Sequence, residues 1–165
     1  MHSTTGALSS LALLLSFLPG EVYAPADLAV ADRDHQARQV VHELVRGLLD
    51  KDLEAVMRQV AVPWFSHGEV TTDRSRLQAE FKGLIEAAPL QRLQFRVGKS
   101  EAFARLRARI QDRAQREALD RLLQRSDRLV QFKIVSDSQE EGFQGWILVQ
   151  LRDSGATIVG VATGW

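Results

Sequence analysis

A chain of 165 residues with 45% hydrophobic and 25% charged content has the make-up of one ordinary globular domain, large enough to fold on an apolar core. Its formal net charge is zero, which removes any general electrostatic case for nucleic acid or an anionic membrane as partner. The absence of cysteine excludes a disulfide framework, thiolate catalysis and a cysteine-bound metal or lipid.

Gly6 to Leu18 carries no charge, and Pro19-Gly20 breaks the run. The stretch is shorter than the roughly 20 residues a membrane-spanning helix takes, and it fits the apolar centre of a secretory signal. Ala24-Pro25-Ala26 supplies a small-x-small cleavage pattern. The expectation is therefore an exported protein, periplasmic or extracellular, with a signal peptide over residues 1–26 and no stable membrane span after cleavage. The opening MHSTT has no Lys or Arg, so an uncleaved anchor is the competing reading. Residues 27–34 read as a short polar lead-in to the domain at 35–165.

Val40, Val41, Leu44, Val45, Leu48 and Leu49 recur at three and four residues and predict a helix from about His35 to Leu49. Asp52 is placed to cap a second helix reaching Val60. Pro63 is expected to end that helix and open an extended Trp64-Phe65-Ser66, with His67-Gly68 as a turn and Val70-Thr71-Thr72 as the returning strand. Asp73 then caps a third helix, whose apolar stripe is Leu77, Phe81, Leu84 and Ile85, and Pro89 stops it. Leu90 to Val97 alternates imperfectly, as a strand.

The charged segment Glu101 to Arg125 sets Phe103, Leu106, Ile110, Ala114, Leu119, Leu122 and Leu123 on one side of a helix, or of two helices broken near Gln111-Asp112. Its arginines are interleaved with acids, the pattern of a solvated helix face. The last third reads as three strands: Arg128 to Val135, Gly142 to Leu151 and Ala156 to Ala162. A polar loop, Ser136 to Glu141, and the turn Asp153-Ser154-Gly155 connect them.

Three helices with a short hairpin after the second, feeding an antiparallel meander, make an α+β order. That order resembles the NTF2-like, or SnoaL-like, cone. The residues that carry the likeness are Gly47 to Val56, then Val62-Pro63-Trp64-Phe65, His67-Gly68, Asp73, Leu77 and Phe81, and a last strand ending Ile158-Val159-Gly160-Val161. The resemblance covers most of the chain beyond the signal, with residues 101–125 as a helical insertion. It implies a curved antiparallel sheet wrapped on helices with a cavity at its open end, and it implies no one activity, because this fold hosts enzymes, binding modules and assembly domains alike.

Isomerases of this family pair a carboxylate base with a tyrosine in an apolar site. The one tyrosine here, Tyr23, falls in the expected signal. Dehydratase-like members use histidine and aspartate, for which the candidates are His67 and Asp50. A turn histidine beside Gly68 and an aspartate ending a helix have bland explanations as well. His35 and His42 are expected to face solvent. No metal spacing, phosphate-binding glycine loop or nucleophile motif is present, so no cofactor or metal is expected. Aromatic residues remain. Trp64, Phe132 and Trp146, with His67, are the candidate lining of an apolar site. Strand alternation keeps Phe143 and Trp146 on opposite faces unless Gly142 or Gly145 makes a bulge. The favoured reading is a non-enzymatic domain binding a small apolar molecule or a protein partner. A homodimer through the outer sheet face ranks next, and a His67/Asp50 enzyme last.

Overall fold

Helix α1 (Pro25–Leu49) is the longest element, and it turns one face, Ala37, Val40, Val41, Leu44 and Leu48, into the core. The computed structural model describes residues 25–87, 90–136 and 139–163. The expected signal up to residue 24, with Tyr23, lies outside them, as do Pro89 and Trp165. Residues 27–34, read from composition as a lead-in, are the opening turns of α1.

At its C-terminus α1 closes in a Schellman arrangement. Lys51 takes φ 57°, its N–H donates to Leu48 O at 3.2 Å, and Asp52 N–H donates to Gly47 O at 2.9 Å. Asp52 then caps α2 (Leu53–Gln59), accepting from Ala55 N at 2.9 Å. The helices meet where Gly47 lies; a side-chain carbon there would sit 3.1 Å from Val56. Helix α2 stops before Pro63, not at it. Strand β1 (Val60–Ser66) starts at once, and Pro63 occupies an irregular stretch of its pairing, where the missing N–H costs no ladder bond.

Strand β2 (Glu69–Thr71) returns through a two-residue turn in which His67 and Gly68 both have positive φ, 51° and 84°, the pattern of a type I′ hairpin. Asp73 caps α3 (Arg74–Ala87) through Ser75 N and Arg76 N. A 3₁₀ turn, Leu90–Arg92, leads into β3 (Leu93–Ala102). Glu101 and Ala102, counted above with the helical insertion, belong to this strand. The insertion proper is α4 (Phe103–Leu106), a 3₁₀ turn (Arg107–Arg109) and α5 (Arg113–Leu122), capped by Asp112. It gives way to β4 (Arg128–Ser136), β5 (Gln139–Arg152) and β6 (Gly155–Ala162).

The protein is α+β. Six strands form one sheet in the order β2-β1-β6-β5-β4-β3. The sheet is mixed rather than wholly antiparallel as expected: β3 to β6 make an antiparallel meander, but β1 runs parallel to β6.

Both sheet faces are covered. On one, Val130, Phe132, Ile147, Val149 and Ile158 pack against α1, α2 and α3. On the other, Phe65, Leu129, Leu148 and Val159 pack against Phe103, Leu106, Ile110, Leu119, Leu122 and Leu123 of the insertion. Every apolar position anticipated in the insertion is buried except Ala114, which is exposed. At the hinge of the insertion, Phe103 N–H donates to Asp127 O at 2.8 Å, and the fully buried Asp127 side chain accepts from Gln124 N, Leu151 N and Arg152 Nη1 at 2.7, 3.0 and 2.7 Å. Beside it, Arg128 Nε lies 2.8 Å from Asp34 Oδ1 of α1, a charge contact whose direction makes no hydrogen bond.

Candidate functional site

Between the C-terminal half of α1, helix α3 and the first face of the sheet lies a cavity of about 360 Å³. This is near the lower end of the roughly 300–1,000 Å³ typical of small-molecule sites. Its depth is apolar. Leu44, Leu48, Trp64, Leu77, Phe81, Leu90, Phe132 and Ile147 line it and are all buried. The polar residues that line it, Ser66, His67, Glu80 and Arg96, are all at least partly exposed, and with the exposed Leu84 and Phe143 they form its rim.

Strand register explains which aromatics reach the cavity. Ile134↔Phe143, Lys133↔Gln144, Phe132↔Gly145 and Gln131↔Trp146 pair without interruption, so Phe143, Gly145 and Ile147 share a face and Trp146 takes the other. Gly145 makes no bulge. Its missing side chain admits the Phe132 ring, which an added carbon would approach to 3.1 Å, and Phe132 then tilts against Phe143 at 5.7 Å between ring centres. Trp64 meets Phe81 of α3 edge-on, 5.5 Å between centres and 74° between planes.

Of the residues singled out from sequence, Trp64, His67 and Phe132 come together in this cavity. Trp146 does not. It packs against the second core beneath the insertion, with Lys99 Nζ 6.0 Å from its ring centre. Asp50 is also elsewhere: it is the exposed residue between α1 and the Schellman turn, its N–H donating to Arg46 O at 2.9 Å, and it does not line the cavity. Glu80, Arg96 and Phe143 were missed. Glu80 lies three residues after Leu77 on α3, and helical spacing gave that signal; Phe143 shares strand parity with Ile147. Arg96 had no such signal, since alternation sets it on the outer side of β3, between Phe95 and Val97.

The cavity offers little for proton transfer. Its one carboxylate among the described residues, Glu80, has Oε1 3.2 Å from Arg76 Nε, and both side chains are well exposed. Among the described residues no group of three or more His, Asp or Glu side chains gathers as a metal site requires. None of residues 103–125 lines the cavity, so the arginine-rich insertion sits behind the sheet and not across the mouth.

A second hollow, about 530 Å³ and open, runs along the N-terminal half of α1 beside the β5–β6 turn. It is lined mainly by polar groups, among them Asp32, Gln36, Glu43, Arg152 and Asp153. No helix of the described residues is long and apolar enough to cross a membrane.

A scan of the chain against protein-family models finds no match, and a search among curated proteins finds none.

Proposed function

We propose that this chain is an exported NTF2-like domain that binds a small, largely apolar molecule in the cavity between α1, α3 and the sheet. The observation that carries this reading is the cavity's polarity: a fully apolar depth with every polar group at the rim. Pockets of that kind draw their affinity from excluded water and their orientation from a few polar contacts. The family reading draws support from the element order, three helices with a hairpin after the second and then the β3–β6 meander. Export rests on the apolar stretch Gly6 to Leu18 and the Ala24-Pro25-Ala26 that follows.

Catalysis by His67 with Asp50 has no support from the site, because Asp50 is held at the end of α1 and away from the cavity lining. A homodimer through the outer sheet face competes with the protein's own insertion, which already covers Leu129, Leu148 and Val159.

The test is a titration of the purified protein with small apolar and amphipathic molecules, followed by thermal shift and by Trp64 fluorescence in a Trp146→Phe, Trp165→Phe background. Saturable stabilisation that Trp64→Ala and the rim variant Phe143→Ala both weaken is the expected result. No saturable response in either readout overturns the reading.

A further inference from the structure

Three cross-strand rows on the cavity face of the sheet run from its floor toward its tip. The innermost pairs Val130 with Ile147, the next joins Val97, Phe132 and Gly145, and the outermost is Phe95, Ile134 and Phe143. Exposure rises along them. Val130 and Ile147 are buried, Val97 is partly exposed beside the buried Phe132, and in the last row Phe95 and Ile134 are partly exposed and Phe143 is 53% exposed. A strand face that meets water is ordinarily polar, and a contiguous apolar patch left there marks a binding surface. Here the outermost row is as apolar as the innermost.

The helical wall behaves alike. Leu84, two turns after the buried Leu77 on α3, lines the same mouth and is 44% exposed. Among the described residues the other well-exposed large apolar side chains, Val30 and Val70, do not line the cavity. The buried chamber thus continues outward as an apolar trough between α3 and the sheet, without a break: Phe132 in the depth tilts against Phe143 outside it.

What fills the chamber decides what covers the trough. A compact molecule would sit inside and leave the outer row and Leu84 in water. A flat protein surface would bridge the two walls and leave a void between them, where the lining forfeits its contacts. A chain that leaves the chamber between the walls covers both.

We infer that the ligand is an elongated single-chain molecule whose hydrocarbon body is longer than the chamber. It runs out between Leu84 and the Phe95–Ile134–Phe143 row, with its polar end in solvent, since the depth offers a polar group no partner. The inference deepens the ligand-binding reading proposed above and rests on it.

The straight-chain alcohols hexanol, octanol, decanol and dodecanol test it, because they differ in length alone. Their dissociation constants for the full chain are read by calorimetry and, in the Trp146→Phe, Trp165→Phe background, from Trp64 fluorescence. Affinity is expected to rise about fourfold for each methylene buried in the chamber and about twofold for each in the trough, whose outer side stays open. Phe143→Ser and Leu84→Ser replace exposed side chains and spare the buried core, so two separate variants guard against a folding defect in one. Each should cost dodecanol about fivefold more than it costs hexanol. Affinity that stops rising once the chamber is full, or a loss that is equal for hexanol and dodecanol in both variants, overturns the extended chain and leaves the cavity standing. Self-association of the unliganded protein that sedimentation detects and Phe143→Ser abolishes also overturns it, because a second copy would then cover the row. Failure of all four alcohols to bind removes the cavity reading with it.

Discussion

Gly160 of β6 and Phe65 of β1 touch backbone to backbone: a side-chain carbon on Gly160 would lie 2.4 Å from Phe65 O and 2.9 Å from Phe65 N. The contact lies where β1 joins β6 in parallel, and it decides how β1 is used. Phe65 faces the core under the insertion, so Trp64, its neighbour, faces the cavity. Gly160 also has φ +155°, a conformation other residues rarely adopt.

Gly160→Ala is therefore expected to destabilise the fold by about 2–3 kcal/mol, as a backbone clash cannot relax the way a side-chain clash can. Urea unfolding followed by circular dichroism measures this. Because the strain falls on the β1–β6 seam, Trp64 emission should also shift to the red before the main transition. An unchanged midpoint would mean that β1 does not dock on β6 at this place.

His67 offers a separation of turn chemistry from ligand chemistry. Its φ of 51° lies in the left-handed region, which asparagine takes more readily than histidine, and Asn-Gly is the favoured pair for a type I′ hairpin. His67→Asn should leave thermal stability equal or raise it by about 0.5 kcal/mol. If the amphiphile titration then shows weakened binding, the imidazole contacts the ligand. Unchanged binding would assign His67 to the hairpin alone.

Much of the fold was legible in the sequence where one residue type does one physical task. Asp52 and Asp73 each stand where a helix needs an acceptor, and each accepts from the helix's first turn. Period-two alternation placed β4 to β6. The errors arose where two rules competed. Pro63 read as a helix stop, although Val60 had already turned extended, because propensity cannot see the parallel partner that receives β1. Glu101 and Ala102 read as helical because the following charges are, whereas the β4 ladder holds them through Leu129 and Arg128.

The candidate site was legible by half. Trp64 and Phe132 followed from position in the expected cone, but Trp146 was misplaced because an unbroken β5 register, not the glycines flanking Phe143, sets its face. Asp50 had the right neighbourhood in sequence and the wrong one in space. A residue that follows a helix's last turn is fixed by the geometry of that turn, and here the turn aims the chain back toward α2.

Stability below neutrality should report on the end of β3 and on the insertion that follows it. A hydrogen bond from Lys99 holds the Glu101 carboxyl below its ordinary value, against a smaller opposing effect of burial, and Arg107 does the same for Asp120 through two bonds of 2.6 Å. Groups whose folded-state value is depressed stabilise the fold fully above their unfolded value. That contribution is lost as the pH falls through the folded-state value. Glu101→Gln should cost about 0.5–1 kcal/mol at pH 7, a sum limited by solvent screening. The difference from the unsubstituted protein should begin to shrink as the pH falls past the ordinary Glu value of 4.5 and vanish only below the lower folded-state value. Denaturant midpoints across the acid range check this. A difference that stays constant with pH would show that Glu101 acts through packing and not through charge.

Asp127 governs whether the insertion stays in place. Its backbone carbonyl takes the N–H of Phe103, at the start of the insertion, and its buried carboxylate takes those of Gln124 and Leu151 together with Arg152. One residue thus ties both ends of the segment to β5. Asp127→Ala removes the fully buried side-chain acceptor and leaves the Gln124 and Leu151 N–H groups without that partner. Each orphaned donor costs about 1–3 kcal/mol, so a total loss of roughly 3 kcal/mol is expected. Asp127→Asn should recover part of it, since its one carbonyl oxygen can serve a single donor while its amide faces another. Amide hydrogen exchange locates the effect. Protection should fall first in α4 and α5 and in the strand residues beneath them, Leu129 and Leu148, while α1 and the cavity residues keep theirs. A uniform loss across the chain would mean instead that the insertion and the sheet unfold as one unit and that Asp127 holds the whole fold.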